Sequence, residues 1–284
     1  MRTLKFHQVD VFTQRSLFGN PLAVYLDADE IKTELMQRIA REMNLSETTF
    51  VQRSNDPECA FRVRIFTPGT ELPFAGHPTV GTAFVLTRLG KLPNDEFFFQ
   101  MASNVRVKRE QEMFWLSPPP LEVSDVEEVA DLAGALNLAA DRCLGVKFVR
   151  GNLQFLCVVV KSPGDVDAVQ PDRSRLAALD HDYSAHDVLV FSYDDERAYS
   201  RFLPNPAHGI VEDPATGSSV APLCLTLKAC GRLARSTSRL TIEQGAKMGR
   251  QSFLYARFTQ SNETLRDIEV GGTAVHNFES VLNV

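Results

Sequence analysis

The sequence lacks long hydrophobic runs and any concentration of positive charge. No stretch approaches the roughly 18 continuous apolar residues that a membrane-spanning helix requires, and the opening MRTLKFHQVDVF contains no apolar signal-peptide core. Lysine and arginine number 30 against 36 acidic residues, so the net charge is −6. Surfaces that bind nucleic acids are usually basic. We therefore expect neither a membrane nor a nucleic acid as a partner.

Cysteine is scarce, and nucleotide-binding motifs are lacking. The five cysteines include no Cys-x-x-Cys pair, and no His, Cys, Asp and Glu residues have the spacing of a metal site. This pattern is typical of free thiols in a reducing compartment, so we expect a cytoplasmic protein. The segment GHPTVG at 76–81 has the outer glycines of a phosphate loop but no following Lys-Ser/Thr, and Gly-x-Gly-x-x-Gly does not occur. We expect no metal and no cofactor.

What the chain does contain is an internal repeat. Its 284 residues fit about two domains. FTPGTELPFAGHPTVGTA at 66–83 aligns with FLPNPAHGIVEDPATGSS at 202–219, with a phenylalanine, two prolines and a glycine in common. Two smaller features recur in the same order: Gly19-Asn20 and Gly151-Asn152 each precede an apolar run, and Gln100 matches Gln244. We interpret this as a duplicated unit.

Each half carries one helix without a polar face. Residues 78–89 and 219–230 are apolar almost all round, so each helix must be enclosed on all sides, most simply by a curved sheet. The predicted fold is therefore α+β, with two repeated halves that each wrap a curved sheet or barrel around a central helix. Three prolines at 118–120 predict a stiff connection between the halves. Pro222 leaves the exact start of the second helix open.

Two ionisable residues directly precede prolines in the repeated loops. Because proline is favoured at the first helical position, His77-Pro78 and Asp213-Pro214 each predict an ionisable side chain at an anion-attracting helix N-terminus. A simple capping role explains Asp213 equally well. Glu47 lies where a helix is predicted to end and a strand to begin, and position alone leaves it open to being a solvated loop residue. A twofold repeat places His77 and Asp213 opposite one another across a cleft.

Five motifs together carry a family resemblance: FGNPLAV at 18–24, MQRIAREMNLSE at 36–47, ELPFAGHPTVG at 71–81, GIVEDPATGS at 209–218 and EQG at 243–245. Over nearly its whole length the chain resembles the phenazine-biosynthesis PhzF-like family, within the diaminopimelate-epimerase-like fold. The resemblance implies a homodimer, an active site between the halves, and a last segment that returns to the first half. The domains are then 1–117 plus 271–284, and 118–270.

The resemblance also implies an isomerase that needs no cofactor. The reaction named for the family isomerises trans-2,3-dihydro-3-hydroxyanthranilate by moving a proton between ring carbons, which needs one group that takes a proton and returns it elsewhere. By resemblance Glu47 is that group, with His77 and Asp213 as the other catalytic residues. The residues implied to bind the substrate are Ser46, Gly76, Gly217 and Ser218.

One difference from other proteins with the wider fold limits the type of reaction that we expect. Diaminopimelate epimerase and the proline racemases use two facing thiols, whereas His77 and Asp213 stand at the corresponding positions here. We therefore expect an isomerase that moves a proton by acid/base catalysis on a small carboxylate-bearing metabolite. Two alternatives stay open: an amino-acid epimerase without thiols, and a non-catalytic small-molecule binding protein that kept the fold.

Overall fold

The computed structural model describes residues 3–92, 94–127, 129–151, 153–179, 186–261 and 264–284. Asn152, one member of the repeated Gly-Asn pair, lies outside these ranges. Among the described residues, no helix combines the length and apolar character needed to cross a membrane.

The first half of the chain forms one curved sheet around a helix. Its strands pair in the order β17, β1, β2, β3, β4, β6, β7, β8, with β5 beside β4, and the β2–β3 and β4–β6 pairs are parallel. The elements are β1 (Thr3–Val11), β2 (Asn20–Tyr25), α1 (Thr33–Met43), β3 (Glu47–Gln52), β4 (Phe61–Phe66), β5 (Glu71–Leu72), α2 (Gly76–Arg88), β6 (Glu96–Gln100), β7 (Asn104–Glu110) and β8 (Met113–Leu116), with β17 (Ala274–Asn283) from the end of the chain.

The second half repeats this arrangement. Its strands pair in the order β9 to β16, and the β11–β12 and β13–β14 pairs are parallel, as at the equivalent places in the first half. The elements are β9 (Glu122–Asp125), α3 (Val129–Ala135), β10 (Cys143–Arg150), β11 (Gln154–Val160), α4 (Pro163–Ala168), α5 (Arg173–Leu179), β12 (Asp187–Asp194), β13 (Arg197–Leu203), α6 (Val220–Ala229), β14 (Arg239–Gln244), β15 (Ser252–Gln260) and β16 (Leu265–Gly272).

The two apolar helices lie at the centres of their halves. Helix α2 is buried along most of its length and packs on β1, β2 and β8, while α6 packs on β10, β11, β15 and β16. Because neither helix has a polar face, both are stable only when enclosed. Side chains of both helices belong to one continuous apolar core. The predicted fold, with a curved sheet around a central helix in each half, is confirmed.

Two strand pairings connect the halves. Strand β8 pairs antiparallel with β16, and the final strand β17 pairs with β1 along its whole length. The predicted return of the last segment to the first half is therefore observed. The three prolines at 118–120 lie in an extended connection between β8 and β9. The exact domain limits at 117/118 and 270/271 stay predictions.

The central helices begin at other residues than the prolines suggest. Helix α2 starts at Gly76, so Pro78 is its third residue, and α6 starts at Val220, so Pro222 is also third. Both prolines fit there because the first turn of a helix has no internal partner for its N–H groups. The predicted helix N-terminus at Asp213-Pro214 is wrong, and with it the alternative of a capping role. The short 3₁₀ turn begins at Gly217 and α6 at Val220, whereas Asp213 is extended and its backbone N–H donates to Phe202 O at 3.0 Å.

Candidate functional site

Glu47 lies buried at the mouth of a strand. Helix α1 ends at Met43, Asn44 takes a left-handed backbone conformation (φ 51°), and Glu47 is the first residue of β3, opposite Leu22 of β2. Its carboxylate atom Oε2 is buried and makes no hydrogen bond within the described part of the chain. Glu47 is therefore no solvated loop residue.

His77 faces Glu47 from the first turn of α2. Its Nε2 lies 3.3 Å from Glu47 Oε2, and its Nδ1 lies 3.0 Å from Nδ2 of Asn20. The Asn20 amide nitrogen can only donate, so Nδ1 accepts and the ring proton of the neutral imidazole sits on Nε2. Within the described residues this Nε2 lies close to Glu47 Oε2 but makes no hydrogen bond. Burial lowers the pKa of His77 to about 3, so the imidazole is neutral at physiological pH.

Asp213 reaches the same point from the second half of the chain. Its Oδ1 accepts a hydrogen bond from Asn20 Nδ2 at 2.8 Å, and its Oδ2 accepts one from the Thr216 hydroxyl. The Ser46 hydroxyl also bonds to this carboxylate. Burial raises the pKa of Asp213 to about 6, although the three hydrogen bonds oppose that rise. Asn20 thus ties His77 of one half to Asp213 of the other.

Burial and neighbouring charge together control the ionisation of Glu47. Burial is the larger cause, and the Asp213 and Asp187 carboxylates add to it, so the pKa of Glu47 stands well above its ordinary value. A carboxyl group in this state keeps its proton to a higher pH than an exposed glutamate does. Such a rise favours a group that must both take up and return a proton.

The predicted glycines meet where the two halves touch. A Cβ added to Gly76 would lie 2.5 Å from the Cα of Gly217, and one added to Gly217 would lie 2.8 Å from the Cα of Gly76. Gly76 opens α2, and Gly217 opens the short 3₁₀ turn Gly217–Ser219. Only glycine fits such an approach, and it brings backbone N–H groups from both halves to the site.

A small cavity of about 30 Å³ lies beside these groups. At roughly 10–15 Å³ per water-sized probe, this is room for a water molecule or two and not for a metabolite. The loops at 67–70 and 205–209 touch over it, with Gly69 N donating to His208 O at 3.2 Å. Its lining comprises Glu47, Thr67, Leu72, Ala75, Leu153, Asp187, Phe202, Pro204, His208, Ile210, Asp213, Thr216 and Ser218. The cavity in this structure is therefore too small for a metabolite.

The structure places all seven predicted site residues around this point, and it adds some that the sequence analysis did not assign. Asn20 and Gln244 were noted only as repeated features. Asn20 joins His77 to Asp213, and Gln244 Nε2 donates to Asp213 O at 2.7 Å. Their recurrence at matching places in the repeat was the signal that could have marked them. Asp187 and His208 carried no such signal.

The three catalytic candidates also form a possible metal-ligand group. One ligand atom from each of Glu47, His77 and Asp213 lies within 4.8 Å of the others. Their wide separation along the sequence concealed this arrangement. The hydrogen bonding favours proton chemistry instead, because a His77 Nε2 that carries the proton has no lone pair for a metal.

Thiol chemistry has no support at this site. None of the described residues that line the cavity is a cysteine, and all five cysteines are free. Burial raises the pKa of Cys157 to about 12, and burial likewise raises the pKa of Cys224. Such thiols are inert at neutral pH.

Comparisons with known proteins agree with this architecture. The family model "Phenazine biosynthesis-like protein" matches residues 9–280. The trans-2,3-dihydro-3-hydroxyanthranilate isomerase of Pseudomonas chlororaphis is 35% identical over 281 residues, which cover 94% of this chain and 95% of the relative.

Two solved structures show the same fold. A PhzF-family phenazine biosynthesis protein of Bacillus anthracis superposes with a TM-score of 0.86 at 24% identity, covering 100% of both chains. A hydroxyproline epimerase of Agrobacterium vitis superposes with a TM-score of 0.63 at 12% identity, covering 99% of this chain and 92% of the other. The chain has the epimerase-like fold, belongs to the phenazine biosynthesis-like (PhzC-PhzF) family and is a PhzF-like isomerase.

Proposed function

We propose that this isomerase moves a proton between two carbons of a small carboxylate-bearing metabolite, with Glu47 as the acid/base group. The observation that carries the proposal is the state of Glu47. Its Oε2 is buried and makes no hydrogen bond within the described residues, and its pKa is raised. A buried carboxyl group without hydrogen-bond partners at Oε2 is destabilised until a substrate arrives, so a catalytic use accounts for it.

The proton balance closes on Glu47 alone. Ionised Glu47 removes a proton from one carbon, the electron pair of that C–H bond enters the neighbouring double-bond system, and the protonated carboxyl then protonates a second carbon. When Glu47 starts protonated, the two transfers occur in the reverse order. In either order one proton is taken and one is returned, so no oxidant, metal or cofactor is required.

His77 and Asp213 position and polarise the substrate in this scheme. His77 Nε2 lies 3.3 Å from Glu47 Oε2, so a polar group of a bound substrate can contact both side chains. Asp213, whose pKa burial raises to about 6, forms a hydrogen bond with a polar group of the substrate and transfers no net proton. The backbone N–H groups at Gly76, the first residue of α2, and at Gly217, with the hydroxyls of Ser46 and Ser218, bind the substrate carboxylate.

Trans-2,3-dihydro-3-hydroxyanthranilate, or a cyclic acid close to it, is the proposed substrate. Support comes from the 35% identical isomerase that bears this substrate's name. We further propose a homodimer, as the family resemblance implies. A cytoplasmic location fits the five free cysteines.

A substrate panel in D₂O tests the proposal. The protein is incubated separately with trans-2,3-dihydro-3-hydroxyanthranilate, L-proline and L,L-diaminopimelate, and each reaction is followed by NMR. We expect isomerisation of the first compound and no change at the α-carbons of the amino acids. Deuterium exchange at an α-carbon would show an epimerase instead. Binding without turnover or exchange of any compound would show a binding protein.

A further inference from the structure

A second imidazole–carboxylate pair lines the cavity, outside the proposed acid/base group. Asp187 is the first residue of β12 and is buried, and His208 ends the short 3₁₀ turn Pro206–His208. His208 Nε2 lies 3.4 Å from Asp187 Oδ1. Both side chains belong to the second half of the chain, whereas Glu47 and His77 belong to the first.

Asp187 fixes which nitrogen of His208 carries the proton. The backbone N–H of Asn205 donates to Asp187 Oδ1 at 2.8 Å and holds the carboxylate in place. A carboxylate only accepts hydrogen bonds, so the facing Nε2 carries a proton, and in the neutral imidazole Nδ1 then presents a lone pair. Within the described residues, His208 Nδ1 is buried and has no hydrogen-bond partner. An acceptor in this state is costly to keep unless a ligand satisfies it.

A contact between the two halves holds the backbone of His208. His208 O accepts the N–H of Gly69 from the opposite half at 3.2 Å, and the next residue, Gly209, has a left-handed φ of 79°. In this structure the imidazole lines the cavity while the loops at 67–70 and 205–209 are in contact. A residue arranged in this way contacts a substrate that the closed site encloses.

The charge of the cavity decides what His208 can bind. Among the described lining residues, Glu47, Asp187 and Asp213 are acidic, and none is a lysine or an arginine. A second acidic group of a ligand would be repelled at this end of the cavity. A hydrogen-bond donor is favoured, because Nδ1 offers a lone pair and Asp187 stabilises the polarised ring.

We infer that His208, oriented by Asp187, accepts a hydrogen bond from a hydroxyl or amino substituent of the substrate and so selects for substrates that carry one. This inference rests on the proposed function in one respect, namely that the cavity is the substrate site. It goes further in assigning a specificity residue and the chemical class of the group that the residue recognises.

Binding of three stable aromatic acids to the wild type and two variants tests this inference. 3-Hydroxyanthranilate, anthranilate and benzoate lose first the hydroxyl and then the amino group, and calorimetry gives each dissociation constant. In the wild type, removing the recognised donor should weaken binding about tenfold. His208→Phe keeps an aromatic ring but has no acceptor nitrogen, so the tenfold difference in dissociation constant should disappear. His208→Asn places an acceptor oxygen near the position of Nδ1, so this variant should show the tenfold difference again.

Three results would overturn the inference: a uniform effect of His208→Phe on all three acids, no effect of either substitution, or no binding of any acid to the wild type. The folded state of each variant is checked by its thermal midpoint. Failure of the proposed function would give a different result from failure of this inference. A wild type with the expected binding pattern but no isomerisation in the substrate panel would reject proton transfer and leave His208 as a recognition residue.

Discussion

His77 links the site to the stability of the protein in acid. Burial holds its folded pKa at about 3, against an ordinary value of 6.5 in the unfolded chain. The lowered pKa contributes to the free energy of unfolding above pH 6.5, and this contribution is lost as the pH falls towards 3. The reason is that over this range the unfolded chain binds a proton at His77 and the folded chain does not. We predict that His77→Asn, which keeps an acceptor for Asn20, flattens this loss by up to about 1.4 kcal/mol per pH unit.

Urea unfolding between pH 7 and pH 4 measures this effect. Burial also lowers the pKa values of His7 and His276, so only the difference in slope between wild type and variant isolates His77. Equal slopes would show that His77 carries its proton in the folded state. The neutral Nε2–H tautomer assigned above would then be wrong.

The sequence motifs predicted which side chains lie at the site but not the hydrogen bonds that hold them there. Glu47, His77 and Asp213 were identified through the family motifs, and the structure brings them together. Their roles as catalytic residues remain predictions. Asn20 donates to Asp213 from 193 positions away in sequence, and no local pattern reveals such a contact. Asp187 and His208 were missed for the same reason.

At the scale of elements, the contact between the start of α2 and the Gly217–Ser219 turn depends on two glycines. We predict that Gly76→Ala lowers the free energy of unfolding by about 1–3 kcal/mol, because the added methyl overlaps Gly217 and forces the halves apart. Turnover should fall as well, since the same shift separates His77 from Asp213. Chemical denaturation and a turnover assay measure the two effects.

Gly164→Ala is the matched control for that substitution. Gly164 lies in α4, and the nearest atom to an added Cβ is Ser162 Oγ at 3.7 Å. Alanine there should leave activity unchanged and stabilise the protein by about 0.4–1 kcal/mol through the unfolded chain. Equal effects of the two substitutions would contradict the proposed role of the glycine contact.

The two central helices were predicted better than their ends. The all-apolar character of α2 and α6 predicted the enclosing sheets. The helix starts did not follow, because proline suits the whole first turn and not its first position alone. The loop at Asp213 is extended instead of helical, since Thr216 and Gln244 bond to it through side chains. Sequence spacing does not reveal those bonds.

At the scale of the whole molecule, the cavity of about 30 Å³ requires the halves to separate before a metabolite enters. The Gly69 N–H, which donates to His208 O across the halves, reports this opening. If a ligand binds the closed state, 3-hydroxyanthranilate at 100 times its dissociation constant should slow exchange of that amide about 100-fold. Hydrogen exchange followed by NMR measures it.

The amide of Met248 serves as the control for exchange. It bonds locally to Gly245 O at 3.1 Å and not across the halves, so the ligand should leave its local exchange unchanged. Unchanged exchange at Gly69 under saturation would contradict closure over the ligand. Neither the closed state nor its volume was predictable from sequence, because both depend on loops far apart in the chain.

Turnover by Glu47→Gln tests the central claim, that Glu47 carries the proton, most directly. The variant keeps the size of the side chain and removes its titration, while Glu42→Gln changes an exposed glutamate on α1 as a control. Product formation from the substrate that the panel confirms is followed by NMR in D₂O. We predict that Glu47→Gln lowers turnover at least ~10²–10⁴-fold, as expected for loss of general acid/base catalysis, with binding of 3-hydroxyanthranilate preserved within a few-fold and the control unaffected. Turnover by Glu47→Gln at the wild-type rate would contradict the account.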